Sequence, residues 1–331
     1  MTMQPRGSIL DKNPRSSDDL EHSPHRGLSR RRFLGTAAAV LVAGQTGLSP
    51  ARAAQGRRSK AQAGKVIVGA HPWVYAATQP KYDIYPILDR IFADMKYAGL
   101  DGIELMHTAL HPKDAAERIA GLSQKHGLPV IGTSFGGEMW DRRRHAEVLA
   151  DAELVIPRLA KLGGKTLGTS VGSARGTKTP EQLDAQAKVL RKIMAICKSN
   201  GVVLNLHNHT YEVENGMHDL KGTLARVPDV KLGPDLNWLL RGGVDPVEFI
   251  RRYGDRIVFL HLRDQKADGK WSEAMGEGSM DYVAIGKALR QVGFSGPAVI
   301  ELAYEGGFRP TRPLRDSLKM SREFVKRTMG W

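Results

Sequence analysis

A single cysteine, Cys197, stands among the 331 residues, so the chain has no partner for an internal disulfide and no second thiol for a cysteine-rich metal site. Its helical surroundings mark it as a small buried apolar residue. No Gly-x-Gly-x-x-Gly follows the first strand-like run, which removes the fingerprint of a dinucleotide-binding fold. No linker or break in composition interrupts the chain after residue 65. One domain is therefore expected, because α/β barrels routinely use about 250 residues as a single unit. Charge is out of balance, with 49 Lys and Arg against 35 Asp and Glu. A basic surface suits nucleic acid, but these cations are scattered over helical stretches instead of alternating with aromatics, so no nucleic-acid partner is expected.

Part of the positive charge belongs to the N-terminus. Ser29 to Gly35 reads SRRRFLG, followed by the apolar run TAAAVLVAG and the small-residue stretch SPARAAQ. A basic region, a short apolar region and an A-x-A-like site make a secretory signal, too short to persist as a membrane anchor. Arg31 and Arg32 before Phe33 and Leu34 make it resemble a twin-arginine signal. We expect residues 1–53 to be that signal, cut after Ala53, and 54–64 (AQGRRSKAQAG) to be a flexible polar lead-in. The catalytic domain is expected over 65–331. This implies passage through the twin-arginine translocase as an already folded protein and a periplasmic location. Beyond residue 53 the chain keeps 41 Lys and Arg against 31 Asp and Glu.

From Lys65 onward, short β-rich runs alternate with longer amphipathic helical patterns. The strands read are VIVGA (66–70), GIEL (102–105), PVIGTS (129–134), TLGTSV (166–171), VVLNLH (202–207), KLGPDL (231–236), IVFLHL (257–262) and AVIEL (298–302). Ile84, Ile87, Leu88, Ile91 and Met95 share one helical face. Thr179-Pro180-Glu181 supplies an N-cap followed by proline at the first helical position. Eight consecutive β-α units predict an α/β fold of the closed (β/α)₈ TIM-barrel type.

In such a barrel the active site lies at the C-terminal ends of the strands. The first strand ends in His71, the second in Glu104 with His107 beyond, and the fifth in His207 and His209, with Glu212 in the following loop. The sixth ends in Asp235, the seventh in His261 followed by Asp264, and the eighth in Glu301. Ionisable groups inside runs such as VFLHL and AVIEL are costly unless they are paired or ligate something. Asp235, His261 and Glu301, with a fourth ligand from the fifth strand, make a carboxylate and imidazole set. That set suits one divalent ion, with Mn²⁺ the first expectation and Mg²⁺, Co²⁺ or Zn²⁺ as alternatives.

The ordered motifs GVVLNLHNHTYE, PDLNWLLRGGVDP, RIVFLHLRD, MGEGSMDY and VIELAYE resemble the sugar phosphate isomerase/epimerase superfamily of xylose isomerase-like barrels, which also contains endonuclease IV. The resemblance implies one divalent ion held by residues of the fifth to eighth strands, with Asp235, His261 and Glu301 at three family positions. Where many members read L-x-L-E-N-H, this chain reads L-N-L-H-N-H. Either His207 or Glu212 then supplies the fifth-strand ligand. Members with this HNH-x-x-E variant are similar to exported enzymes acting on 3-keto-sugars or keto-inositols.

The expected activity is metal-dependent isomerisation, epimerisation or lysis of a keto-sugar, 3-keto-glycoside or keto-inositol through an enediolate held by the ion. Glu301 is the first candidate base, with Glu104, His107 or His209 moving a second proton. His71 and His107 are expected on the substrate side, with Arg263 and Lys266 adding positive charge. His71, Trp73, Trp140, Trp238 and Trp271 are candidates to stack on a sugar. Gly276-Glu277-Gly278 reads either as a substrate-side loop or as an ordinary turn. The competing readings are a non-catalytic periplasmic sugar- or metal-binding barrel and an endonuclease IV-like nuclease. The nuclease would need a richer cluster of histidines and carboxylates than this chain carries. A homo-oligomer is compatible with all of this.

Overall fold

The computed structural model describes residues 65–331; the expected signal (1–53) and lead-in (54–64) lie outside the described residues. Eight strands run parallel: β1 (Val68–Ala70), β2 (Gly102–Met106), β3 (Val130–Gly136), β4 (Thr166–Ser170), β5 (Val203–Leu206), β6 (Lys231–Leu232), β7 (Leu260–Leu262) and β8 (Ala298–Ile300). They pair in the order β6-β5-β4-β3-β2-β1-β8-β7. Parallel bridges Leu232–Ile257 and Asp235–His261 join the two ends, with Val258 N donating to Leu232 O at 2.9 Å and His261 N to Pro234 O at 3.0 Å. The ring is thereby closed, as the alternation of units predicts.

β6 is much shorter than the expected KLGPDL run. Pro234 has no N–H to donate to a ladder, and Asp235 is already the N-cap of the next helix.

The helices are α1 (Trp73–Ala76), α2 (Leu88–Tyr97), α3 (Ala115–His126), α4 (His145–Lys161), α5 (Pro180–Ser199), α6 (Thr210–Arg226), α7 (Leu236–Arg241), α8 (Pro246–Tyr253), α9 (Tyr282–Val292) and α10 (Leu314–Met329). α2 buries Leu88, Ile91 and Met95, with Ile84 beneath its entry. α5 opens on the expected cap: Thr179 Oγ1 accepts from Gln182 N at 3.3 Å, and Gln182 Oε1 accepts from Thr179 N at 2.9 Å. Cys197 on α5 is buried, and burial pushes its thiol up to about 12. Among the described residues no helix is long and apolar enough to cross a membrane.

The main apolar core lies between the strands and the surrounding helices. A second, small cluster of Ile131, Phe259 and Val299 packs apart from it. A Cβ at Gly102 would stand 2.5 Å from Ile131 Cγ2 and one at Gly69 2.6 Å from Ile131 Cδ1, so only glycine admits the isoleucine at these two points. A Cβ at Gly233 would likewise meet Phe259 and the Asn205 amide. Because side chains alternate along a strand, the residue two positions on from each of these faces the same way. Gly69, Gly102, Asn205, Gly233, Phe259 and Val299 therefore underlie His71, Glu104, His207, Asp235, His261 and Glu301.

Candidate functional site

Backbone ladder bonds fix the polar layer. His71 N donates to Ile300 O at 2.9 Å, while Glu301 N to Leu262 O, His261 N to Pro234 O and His207 N to Thr169 O each span 3.0 Å. Each side chain thus leaves the barrel wall beside that of a neighbouring strand. His261 Nδ1 lies 3.0 Å from His207 Nδ1 and 3.3 Å from Glu301 Oε2. Its other nitrogen, Nε2, lies 2.5 Å from Glu104 Oε2. Arg263 enters the same space: its Nη2 is 2.7 Å from Glu301 Oε2 and 3.2 Å from Asp235 Oδ2. His71 bridges Glu301 Oε1 (Nδ1, 3.3 Å) and Ser134 Oγ (Nε2, 3.0 Å).

Asp235 uses its two oxygens differently. Oδ1 accepts from Asn237 N and Trp238 N, both at 2.9 Å, and so caps α7. Oδ2 faces the cluster. Asn208, between the two histidines of the HNH run, clamps this corner: its Oδ1 accepts from Asp235 N at 3.2 Å and its Nδ2 donates to Asp235 O at 3.3 Å.

Burial and charge set the protonation states. Burial alone would lower His261, but Glu104 and Glu301 beside it raise it to about 9. His207 is held well below the usual imidazole value, first by burial and then by the neighbouring His209 and His261. Burial acts to raise Glu301, yet Arg263, His261 and His71 hold its carboxyl well below the usual range. Asp235 is raised by burial against the pull of Arg263.

The donor set fits a divalent cation. One ligand atom from each of His207, Asp235 and His261 lies within 4.8 Å of the others. Asp235 Oδ2 and Glu301 Oε2 are buried within ion-pair distance of Arg263, yet neither receives a well-directed hydrogen bond. With Glu104 accepting from Nε2, the remaining nitrogen of His261 is turned toward His207 and Glu301, the arrangement by which a carboxylate orients a metal-ligating histidine.

Glu212, the alternative fifth-strand ligand, is turned elsewhere. Its Oε1 accepts from Ser170 Oγ at 2.7 Å and Val171 N at 3.3 Å, and its Oε2 accepts from His209 N at 2.6 Å. Both oxygens are spent at the start of α6. His209 stands at the rim, with its ring stacked on Tyr211 and 5.7 Å from Trp238. His107 is not brought into the cluster; its Nε2 lies 3.5 Å from Asp151 on α4. Lys266 is exposed, in a turn closed by its backbone N–H to Lys270 O at 2.7 Å. Trp238 and Trp271 pack edge to face at 5.4 Å, both beside the Arg263 guanidinium. Trp73 instead stacks on Tyr82.

Asp264 builds the loop after β7. Its carboxylate accepts from the backbone N–H of Gln265, Gly276, Gly278 and Met280 at 2.9–3.2 Å. A Cβ at Gly278 would stand 2.1 Å from Asp264 Oδ1, so the wrap requires glycine there. Gly276-Glu277-Gly278 is accordingly a turn folded round a carboxylate. Sequence reasoning missed Ser134 and the clamping role of Asn208. A serine inside a β-rich run carries no signal of its own, whereas an asparagine between two strand-end histidines does.

Residues 92–324 match the family model described as xylose isomerase-like TIM barrel. The chain is similar to inosose dehydratase of Geobacillus kaustophilus, 26% identical over 220 residues that cover 60% of this chain and 62% of that protein. It thus spans less than two thirds of that relative's length. It is also similar to the rhizopine catabolism protein MocC of Rhizobium meliloti, 24% identical over 250 residues, covering 65% of this chain and 74% of that one. Among solved structures, an L-ribulose 3-epimerase superposes with a TM-score of 0.65 at 20% identity, covering 80% of this chain and 95% of the other. The 3-keto-D-glucoside 4-epimerase of E. coli does so with 0.63 at 20% identity, covering 78% and 100%. At this identity the two structural likenesses concern the fold. With the family match spanning most of the closed eight-stranded ring, the chain belongs to the xylose isomerase-like TIM barrel family.

Proposed function

We propose that the protein is a divalent-metal-dependent enzyme that removes the proton beside the ketone of a keto-sugar, 3-keto-glycoside or keto-inositol. The observation that carries this reading is the convergence of His207, Asp235, His261 and Glu301 on one buried point beside Arg263. Those four residues would hold the ion, which supplies Lewis-acid polarisation of the substrate carbonyl when bound. Glu301 takes the α-proton: its carboxylate stays ionised beside Arg263, His261 and His71. His71 faces the opposite oxygen of that carboxylate and is itself held by the Ser134 hydroxyl, which gives the proton a way out. Arg263 places positive charge where the enediolate oxygen develops, and Trp238 and Trp271 wall the same space.

Elimination is favoured over simple epimerisation. A carboxylate on each face of the sugar is the direct way to move a proton across it, but the fifth-strand end presents His207, and Glu212 is spent on its cap. His209 at the rim is the group we assign to protonate a leaving oxygen. The name of the inosose dehydratase relative supports this choice, and the epimerases of similar fold support a sugar ketone as substrate.

The test is a panel of keto-inositols, 3-keto-glycosides and keto-sugars offered to the metal-loaded protein in deuterated water. An α,β-unsaturated ketone, or deuterium at the α-carbon, is expected, with loss of both on chelation and recovery with Mn²⁺ or Co²⁺. Binding without exchange or turnover across the panel would favour a non-catalytic barrel. Unchanged bound metal in each of Asp235→Ala, His261→Ala and Glu301→Ala would remove the proposed site. We further propose periplasmic export by the twin-arginine route, which normal periplasmic levels of the Arg31→Lys/Arg32→Lys protein would contradict.

A further inference from the structure

A second cluster of imidazole and carboxylate groups lies outside the barrel-mouth site. His107 and His111 are four residues apart on the short helical turn His107–Leu110 and its cap, just beyond β2. Asp151 faces them from α4. Its Oδ1 lies 2.7 Å from His111 Nε2 and its Oδ2 3.5 Å from His107 Nε2. The three ligand atoms are within 4.8 Å of one another, and the two rings stand nearly edge to face. We propose that His107, His111 and Asp151 form a second metal site, taking a zinc-class divalent ion through two Nε2 atoms and one carboxylate oxygen, with a fourth position left for water.

Three features carry this beyond a chance grouping. First, both rings present the same nitrogen to one carboxylate, and the wider Nε2 to Oδ2 gap is already near the edge of a tetrahedron with zinc–ligand bonds of about 2.0–2.1 Å. Second, the His107 ring is held between two edge-on neighbours, Phe135 at 5.3 Å and His111 at 5.6 Å. Those contacts set the ring plane with Nε2 toward Asp151. Third, the turn is fixed to the helix that carries the aspartate. Arg158, two turns along α4, donates from Nη1 to Leu110 O, His111 O and Pro112 O at 2.5, 2.9 and 2.8 Å. The ligands are therefore preorganised by groups that do not themselves belong to the set.

An ion here would tie the exit of β2 to α4, three residues after Glu104. The inference does not rest on the proposed activity, and the two separate cleanly in a metal-binding experiment. Full-length protein is stripped with chelator, dialysed against Zn²⁺ and analysed for bound metal, and Co²⁺ is used as the spectroscopic probe. The wild type is expected to hold two equivalents. His111→Gln and Asp151→Asn, both at partly exposed positions, are each expected to hold one and to lose one set of visible Co²⁺ bands. Asp235→Ala/His261→Ala is expected to keep the equivalent that those variants lose. If the wild type binds one equivalent and His111→Gln abolishes it, the second site stands and the barrel-mouth reading fails. If His111→Gln and Asp151→Asn leave the stoichiometry and the Co²⁺ spectrum of the wild type unchanged, the second site is overturned.

Discussion

Glu104 Oε2 lies 2.5 Å from His261 Nε2, and both side chains are almost wholly buried. The pair joins β2 to β7 across the barrel interior and decides which nitrogen of His261 faces the cluster. A carboxylate that accepts from one imidazole nitrogen makes the other more basic and fixes the ring plane.

Replacing that carboxylate separates orientation from charge. Glu104→Gln keeps the shape of the side chain and its hydrogen-bonding reach but removes the charge that raises His261. Affinity for Mn²⁺ or Co²⁺ is expected to fall by about 10–100-fold, the usual cost of losing such a support. Competition with a chromophoric chelator reads it directly, and an unchanged affinity would show that Glu104 does not orient a ligand.

The histidine pair gives the ion a pH signature. Without metal, His261 is raised to about 9, above the ordinary value of 6.5. A raised imidazole stabilises the fold fully below the unfolded value and loses that contribution as pH climbs through the folded one. Between pH 7 and 9.5 the chelated protein should therefore lose stability, on the order of 3 kcal/mol over the whole window. His207 and His107, both lowered, act below pH 6.5 and leave this window clear. Metal binding must displace the His261 proton, so apparent ion affinity should rise with pH up to about 9. Urea denaturation of chelated protein at pH 7 and 9.5, beside ion titrations at the same pH values, checks both signs. A stability that is flat across the window would mean that His261 is not charged.

The barrel was legible because periodicity repeats: eight apolar runs at regular spacing leave few alternatives to a closed ring. The polar layer was legible for a related reason. His71, Glu104, His207, Asp235, His261 and Glu301 interrupt or end apolar runs at the same end of each strand. What could not be read was direction. Glu212 sits in register with the HNH run, yet backbone N–H groups at the start of α6 and the Ser170 hydroxyl compete for its oxygens and win. His107 follows Glu104 closely, but the turn after β2 swings it to Asp151. Lys266 lies near the end of β7 in sequence, and the turn that begins there carries it into solvent. Such outcomes depend on loop geometry, which a single sequence does not encode in any period.

The loop after β7 tests whether one buried carboxylate can organise a long insertion. Asp264 accepts from the four N–H groups of Gln265, Gly276, Gly278 and Met280. Asp264→Ala removes the shared acceptor of these four part-buried donors, and a hydrogen bond to a charged group contributes about 1.5–3 kcal/mol at most. Asp264→Asn is expected to be nearly as harmful, because its amide turns donors toward donors. Gly278→Ala should mimic both by pushing a Cβ onto the carboxylate. Hydrogen exchange at residues 265–280 should accelerate in all three, while exchange in α5 stays as in the wild type. Retained protection in Asp264→Asn would contradict the account.

A further buried ion pair lies away from the two proposed metal sites. Lys178 Nζ donates to Asp219 Oδ2 at 2.5 Å and to Gln186 Oε1 at 2.7 Å, and Gln186 Nε2 donates to Asp219 Oδ1 and Thr223 Oγ1 at 2.9 and 2.7 Å. The network fastens α5 to α6. Breaking a buried pair from one side leaves an uncompensated charge, at a cost of about 3–5 kcal/mol. Lys178→Met should therefore destabilise strongly near pH 8. Burial already raises Asp219, with Lys178 pulling it back down. Once the lysine is gone, the carboxyl rises further, and protonation below that value removes the buried charge. The Lys178→Met penalty should accordingly shrink as pH falls toward 5. Lys178→Met/Asp219→Leu should be less destabilised than Lys178→Met alone, since neither charge then remains, and a double-mutant cycle in urea measures the coupling. If the two single losses simply add, the pair is not a coupled unit, and the hydrogen bonds through Gln186 hold the two helices without it.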